Sequence, residues 1–120
     1  MKYLKRFNES YDLDPVRSNL ERILYKLEKF DFITKVDIKD NYFIIEITKN
    51  SDGIRVFNSI DIKDVISEVN EYLTLGEGLH LEDIESVEVR GFQPEKRSVN
   101  INQLFREGKS FIKLVFYYCV

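Results

Sequence analysis

The residues best suited to chemistry surround the single histidine. His80 lies close in sequence to four carboxylates, Glu77, Glu82, Asp83 and Glu85, and carboxylate oxygens are the ligands that hard cations prefer. Their spacing matches no ligand motif that has a mechanism behind it. An acidic surface loop that leads into a strand accounts for the same residues. We therefore expect no metal and no cofactor here.

Cys119 is the only thiol of the chain. A nucleophilic cysteine needs a nearby base, for which His80 is the sole histidine, and a stabilised thiolate. A cysteine in an apolar strand is more typically a small core residue. One cysteine also excludes an intramolecular disulfide framework and a multi-cysteine zinc site, which favours a reducing, intracellular site of synthesis.

Two further patterns resemble a phosphate-binding loop and an acid–base pair, but neither has the context that such a site needs. Gly76-Glu77-Gly78 follows a predicted helix, whereas a phosphate-binding loop leads into a helix. Two carboxylate pairs, Asp61 with Asp64 and Glu68 with Glu71, lie on the predicted solvent side of that helix. Acid–base catalysis needs two groups in environments that push their pKa values apart, and a solvated helix face does not provide them. The sequence thus predicts no catalytic residue and a protein that is not an enzyme.

Composition bears on which classes of partner the protein can bind. The 120 residues fit one domain, and 18 basic against 21 acidic residues give a formal charge of −3. A nucleic-acid-binding domain usually has a net basic charge or a basic stripe, so we do not expect nucleic acid as the main partner. Residues 114–120, the longest apolar run, are too few to span a bilayer. Without a signal-peptide pattern, we expect a cytoplasmic protein with no membrane contact.

The first half of the chain predicts a helix and a hairpin. Asp14 and Pro15 predict the helix start, and the apolar residues that follow recur at helical spacing: Val16, Leu20, Ile23, Leu24, Leu27 and Phe30. From Phe32 onward, apolar residues recur at every second position instead of at helical spacing. This pattern predicts strands over residues 33–38 and 42–48 with a turn between them. Residues 50–53 are a second turn signal. Residues 54–57 fit either a short strand or an extended connection.

The second half predicts a helix over residues 61–75, ended by Gly76, and a strand over 84–90. Residues 91–110 are the least regular, with one helical turn predicted at 102–108. Residues 111–120 predict a strand that is apolar on both sides, which belongs in the middle of a sheet or beneath a partner. Its aromatic residues, among them Tyr117 and Tyr118, are also of the kind enriched at protein interfaces.

These elements predict an α+β fold of two αββ units, with two helices on one face of an antiparallel sheet. Moving the last strand to the front gives the βαββαβ order, so a permuted ferredoxin-like topology is our first expectation. We divide the chain into a short amphipathic segment, residues 1–12, and one α+β domain, residues 13–120.

Residues 2–9, termed here the leader segment, would present two sides as a short helix. Its apolar side carries Tyr3, Leu4 and Phe7, and its basic side carries Lys2, Lys5 and Arg6. Two helical turns are not stable alone, so the segment must dock on something or fray. We predict that these six residues bind a partner.

The first ten residues, Met-Lys-Tyr-Leu-Lys-Arg-Phe-Asn-Glu-Ser, resemble a leader found on proteins of large tailed bacteriophages. In that family the pattern is Met-Lys, a few mixed residues, a hydrophobic residue, and then Glu followed by Ala or Ser. It looks like a capsid-targeting sequence that a head protease cuts after the glutamate. The resemblance implies cleavage after Glu9. We recognise no family resemblance in the rest of the sequence.

Our leading hypothesis is a non-enzymatic phage protein that acts by protein–protein contact, as a minor virion component or a cargo protein of the head. The apolar side of the leader segment would enter a groove of a capsid or other virion protein, and its basic side would steer the encounter.

The alternative is a small soluble phage or bacterial regulator that binds a host protein in the cytoplasm. A third possibility, an enzyme with a shallow acidic site at His80, has the least support. The sequence does not indicate an oligomeric state.

Overall fold

The computed structural model describes residues 14–39, 42–49, 56–90, 93–107 and 110–119. Its elements, in chain order, are α1 (Asp14–Glu28), β1 (Phe32–Lys39), β2 (Tyr42–Lys49), β3 (Phe57–Asn58), α2 (Lys63–Glu71), β4 (His80–Arg90), β5 (Gln93–Val99), α3 (Ile101–Glu107), β6 (Ser110–Phe111) and β7 (Lys113–Cys119). The predicted α+β class is confirmed. None of the described helices is long and apolar enough to cross a membrane.

The main sheet has five strands in the order β1-β2-β7-β4-β5, with β3 and β6 forming a separate two-stranded sheet. Every neighbouring pair of strands is antiparallel. The last long strand, β7, is central, which confirms one of the two places predicted for an apolar C-terminal strand. Residues 40–41 and 50–53, the two predicted turns, lie outside the described residues, as do residues 54 and 55.

The strand order is compatible with the predicted permutation. With β7 moved to the front, the chain reads β7-α1-β1-β2-α2-β4, and β5 is an additional edge strand. β2 lies between β7 and β1, and β7 lies between β2 and β4. In this permuted order, α1 and α2 would each join two strands separated by one other strand, as in a split βαβ unit. The ferredoxin-like relationship itself stays a prediction.

Helix α1 buries one stripe and ends earlier than its apolar periodicity suggests. Val16, Leu20, Leu24 and Leu27 are buried, as helical spacing predicts. Phe30, predicted to extend this stripe, is 67% exposed. The reason is that α1 ends at Glu28, so that Phe30 lies in the turn, where the helical period no longer sets its direction.

The second helix is a composite of three conformations. A 3-10 turn, Ser59–Ile62, leads into α2, and a π-turn, Tyr72–Gly76, follows it. The Asn58 side chain accepts the Ile60 N–H at 2.9 Å and caps the start. Gly76 is the last residue of the helix, close to the predicted end. The left-handed conformation is taken two residues later by Gly78, with a φ of 72°, where glycine has no Cβ to clash.

Residues 91–110 contain more regular structure than predicted. Gln93–Val99 forms β5, paired with β4 from Arg90↔Gln93 to Ile84↔Val99. Because most of its side chains are exposed, β5 lacks the apolar alternation by which strands are recognised. The predicted helical turn is confirmed as α3, with Leu104 buried. The second αββ unit is thus α2-β4-β5, and the terminal strand predicted for it follows α3 instead.

The hydrophobic core lies between the helices and one face of the main sheet, termed here the inner face. All three helices contribute side chains to this core. Alternate residues of four strands of the main sheet complete it: Phe32 and Val36 of β1, Phe43, Ile45 and Ile47 of β2, Ile84 of β4, and Leu114, Phe116 and Tyr118 of β7. Burial of this apolar stripe and sheet face stabilises the fold, at about 25 cal/mol per Å² removed from water. The predicted placement of two helices on one face is therefore observed for α1 and α2.

Candidate functional site

His80 and Cys119, the candidate base and nucleophile, are cross-strand neighbours. They are paired in register where β4 runs beside β7. The Cys119 thiol donates to the Glu82 carboxylate at 3.2 Å. Burial raises the pKa of Cys119, and the hydrogen bond and the negative charge of Glu82 raise it further. A nucleophilic cysteine needs the opposite shift, so the pair is arranged to keep a neutral thiol.

The acidic residues near His80 in sequence have different partners in the fold. Glu77 accepts a hydrogen bond from the Tyr72 hydroxyl at 3.1 Å, beside α2. A bulge between Leu81 and Asp83 interrupts the pairing of β4 with β7. Asp83 accepts a hydrogen bond from Ser98 at 3.3 Å. No group of three or more potential metal ligands comes together in the described part of the chain.

The carboxylates of α2 act between helices. Glu68 forms an ion pair of 2.8 Å with Lys26 of α1, and both side chains are largely exposed, so the pair contributes about 0–1 kcal/mol. Deeper in the same groove, Asn19 donates to the Tyr72 hydroxyl at 3.0 Å. Burial is the main reason that the pKa of Tyr72 is raised. These contacts fasten α1 to α2.

A small pocket lies beneath α3. Its volume is about 150 Å³, and it is lined by Glu88, Arg97, Ser98, Val99, Gln103, Leu104 and Phe111. Glu88 is buried on the inner face and has an interaction partner. The pocket contains neither histidine nor cysteine, so it offers no nucleophile–base pair of the usual kind.

The face of the main sheet opposite the helices, termed here the outer face, has an aromatic centre. Tyr42 of β2 and Tyr117 of β7 pack edge to face, with ring centroids 6.4 Å apart and an interplanar angle of 88°. Ile44 is paired in register with Tyr117, and Val115 is only 6% exposed. Neither Val115 nor Val87, the buried valines of this face, belongs to the helix-covered core.

Charged residues surround this aromatic centre. Glu46 pairs with Lys113 at 3.1 Å, and Glu85 pairs with Lys96 at 3.8 Å. The pKa of Tyr117 is raised, first by burial and then by the negative charges of Glu85, Asp83 and Glu46, with Lys113 acting against them.

The edges of the main sheet are less suited to binding than its outer face. At the β1 edge, Arg17 of α1 donates to the Val36 carbonyl at 3.1 Å, which occupies one acceptor that an added strand would need. At the β5 edge, Pro94 lacks a backbone donor, and Lys96 and Arg97 add charge. Proline and charged residues on edge strands discourage strand addition. The outer face is thus the better candidate for contact with another protein.

The residues predicted to bind a partner, Tyr3, Leu4, Phe7, Lys2, Lys5 and Arg6, lie outside the described residues, and so does the predicted cleavage point after Glu9. Among the aromatic residues of the last strand, Tyr117 lies on the outer face, whereas Tyr118 is buried on the inner face and donates to the Asn70 side chain at 2.9 Å. The sequence interpretation did not identify Tyr42 and Ile44 as surface residues.

A signal for this surface is nonetheless present in β2. The odd-numbered residues of β2 belong to the core: Phe43, Ile45 and Ile47. The even-numbered residues Tyr42 and Ile44 point to the opposite face, yet they are also aromatic or apolar. A strand with one solvated face alternates between apolar and polar residues. The departure from alternation at Tyr42 and Ile44 marks the outer face.

The chain was compared with models of known protein families, with curated proteins and with solved structures, and none of the three comparisons gives a match.

Proposed function

We propose that this is a non-enzymatic phage protein that acts by protein–protein contact, as a minor virion component or as a cargo protein of the head. Its partner is a capsid protein or another protein of the virion. The phage assignment comes from the resemblance of residues 1–10 to a capsid-targeting leader. The contact function is supported independently by the outer face.

The outer face carries the proposal because it differs from an ordinary solvated sheet face. Tyr42, Ile44 and Tyr117 form an aromatic and apolar centre, and Glu46 and Glu85 form part of a charged rim around it. Protein interfaces have this arrangement, with aromatic residues enriched at the centre and polar residues at the rim. Aromatic side chains at such centres contribute much of the binding energy.

The chemistry of the candidate reactive residues also favours contact over catalysis. The pKa of the Cys119 thiol is raised by burial and by Glu82, which lowers the fraction of reactive thiolate at neutral pH. The carboxylates of α2 serve as exposed charges and as an ion-pair partner of Lys26. Both observations support a protein that acts by contact.

Co-sedimentation tests this function. The full chain is expressed and its association with particles from the native source is measured by size and mass. We expect a fixed copy number per particle, and we expect Phe7→Asp in the leader segment to abolish incorporation while the domain stays folded. Phe30→Asp is the matched control, since Phe30 is an exposed phenylalanine in the turn that follows α1, and this variant should incorporate normally.

Two results would contradict the proposal. A wild-type chain that is recovered only as a free monomer or dimer would replace the virion role by the alternative, a regulator in the cytoplasm. Normal incorporation of the Phe7→Asp variant would remove the leader segment from the mechanism and leave the outer face as the remaining contact surface.

A further inference from the structure

We propose that the first part of β4 accepts an extended segment of another protein as an added strand, and that this segment alternates between apolar and basic side chains. This goes beyond the proposed function, because it concerns a surface other than the outer face and holds whether or not the protein enters a particle. The open side of β4, the groove beside it and the charge of that groove support it.

Strand β4 extends beyond the strand that pairs with it on one side. β4 comprises His80–Arg90, and β5 pairs with it only from Ile84 to Arg90. On its other side, β7 pairs with β4 from His80 onward. Residues 80–83 therefore have a neighbouring strand on one side and no described strand on the other. Such an edge presents backbone N–H and C=O groups that can pair with another chain.

The chain turns away from this stretch where β5 ends. Asn100 follows Val99, the last residue of β5, and its side chain accepts the Gln103 N–H at 2.8 Å, which caps the start of α3. α3 then continues on the helix side of the sheet, where Leu104 enters the core. The proline and the charged residues that protect the β5 edge pair with residues 86–89, away from this stretch. The position that a longer β5 would occupy is thus not taken by the described residues that follow it.

A groove lies along this open side and is termed here the β4 groove. Its volume is about 490 Å³, and it is lined by residues 81–84 of β4 and residues 98–101, where β5 leads into α3. Binding pockets of proteins commonly measure about 300–1,000 Å³, so the β4 groove has the size to hold side chains of a bound segment. Because the bulge between Leu81 and Asp83 bends the strand, the added strand pairs over a short stretch only.

The β4 groove is apolar on the side of the inner face. Leu81, Val99 and Ile101 line it there, and all three are partly buried against the hydrophobic core. Their exposed parts form apolar surface that a bound side chain would remove from water. A β-branched side chain suits this position, because it also favours the extended conformation of an added strand.

The β4 groove is acidic on the side of the outer face. Asp83 is paired in register with Tyr117, a residue of the outer face, and Glu82 is exposed. The described residues that line the groove include these two carboxylates and no lysine or arginine. The outer face differs, since its carboxylates Glu46 and Glu85 are paired with lysines. Complementary charge therefore favours a basic partner in the groove.

The two sides of the groove together define the segment that fits. Successive side chains of a strand point to opposite faces, so apolar side chains at every second position would meet Leu81, Val99 and Ile101. The basic side chains between them would meet Glu82 and Asp83. In strand addition, pairing of the backbones gives affinity and the alternate side chains give specificity.

Peptide binding followed by NMR tests this proposal. The probe is the blocked peptide acetyl-Lys-Val-Lys-Val-Lys-Val-Lys-amide, titrated into the isotope-labelled full chain. We expect the amide signals of Leu81, Asp83, Val99 and Ile101 to shift and to saturate. Two control peptides should leave these signals unchanged. One has Glu in place of each Lys and carries the wrong charge, and the other has every backbone amide N-methylated and cannot donate to β4.

A pair of variants locates the binding site. Glu82→Lys reverses a charge in the β4 groove, and Glu21→Lys changes the net charge equally on α1, where Glu21 is exposed. Glu82→Lys should weaken binding of the basic peptide by roughly fivefold or more, the upper end for an exposed charge pair, whereas Glu21→Lys should not. Urea denaturation first shows that both variants are folded.

Several results would overturn the proposal. They are the absence of shifts in the groove with the basic peptide, equal shifts with either control peptide, and equal weakening in the two variants. Shifts confined to Tyr42, Ile44 and Tyr117 would also overturn it and assign the peptide to the outer face. A failure to co-sediment with particles would leave these results unaffected, so the two proposals fail separately.

Discussion

The two faces of the main sheet carry similar residue types and have different surroundings. On β7, Phe116 and Tyr118 point to the inner face, and Val115 and Tyr117 point to the outer face. Helices cover the inner face, where Phe116 and Tyr118 are almost completely buried. The outer face relies on its own ring pair, Tyr42 with Tyr117, and on ion pairs across strands. Apolar content alone therefore does not distinguish a core surface from a binding surface in this protein.

The contrast follows from where the helices can go. All three described helices contribute side chains to the core on the inner face, and none of them contributes to the outer face. On β7, Phe116 and Tyr118 lie beneath the helices, whereas Val115 and Tyr117 lie on the face that the described helices leave open. Substitutions on neighbouring residues of one strand thus test the two faces against each other.

The largest difference is expected for stability. Phe116→Ala removes a ring that is 1% exposed and should lower the free energy of unfolding by about 3–5 kcal/mol, the usual range for a buried phenylalanine. Tyr117→Ala removes the edge-to-face contact with Tyr42, a contact of about 0.5–1.5 kcal/mol, and should cost far less. Urea denaturation of both variants measures the difference. Equal losses would show that the outer face belongs to the core as much as the inner face does.

A smaller effect is expected from the pH dependence of stability. Burial raises the pKa of Tyr118 far above its ordinary value, so the folded state holds this proton more tightly than the unfolded state. The resulting stability is fully present below about pH 10, the unfolded pKa, and is lost as the pH rises toward the folded pKa.

Tyr118→Phe should therefore flatten the alkaline decline of the unfolding free energy. At neutral pH it should cost about 1 kcal/mol, because the hydrogen bond to Asn70 is lost. Tyr117→Phe is the matched control on the outer face and should flatten the decline less, since Tyr117 is less buried. Denaturation at a series of pH values above neutrality gives both curves. An unchanged alkaline slope in Tyr118→Phe would contradict the burial argument.

Most of the fold was predictable because it depends on periodicity. The stripe of α1, the hairpin of β1 and β2, and the central place of β7 follow from residue types at fixed spacing. β5 was not predictable in this way, because it pairs through its backbone with β4 while most of its side chains stay in solvent. Phe30 was placed wrongly because periodicity does not indicate the residue at which a helix ends.

The candidate surface was only partly predictable. Tyr117 was recognised as an aromatic residue suited to an interface, but the sequence does not state which strand lies beside it. Tyr42 is distant in sequence and becomes its neighbour only through the pairing of β2 with β7. The pairing of His80 with Cys119 likewise depends on the register of β4 with β7. The leader segment lies outside the described residues, so its role stays a prediction.

The most direct test of the outer face as the contact surface is particle binding by two tyrosine variants with the same substitution. Tyr117→Lys places a charge at the centre of the outer face, and Tyr25→Lys places the same charge on α1, where Tyr25 is 55% exposed. Each variant is first shown by urea denaturation to be folded and is then sedimented with particles from the native source. We predict that Tyr117→Lys loses binding and that Tyr25→Lys keeps it. Wild-type copy number for Tyr117→Lys, or equal loss in both variants, would contradict the account.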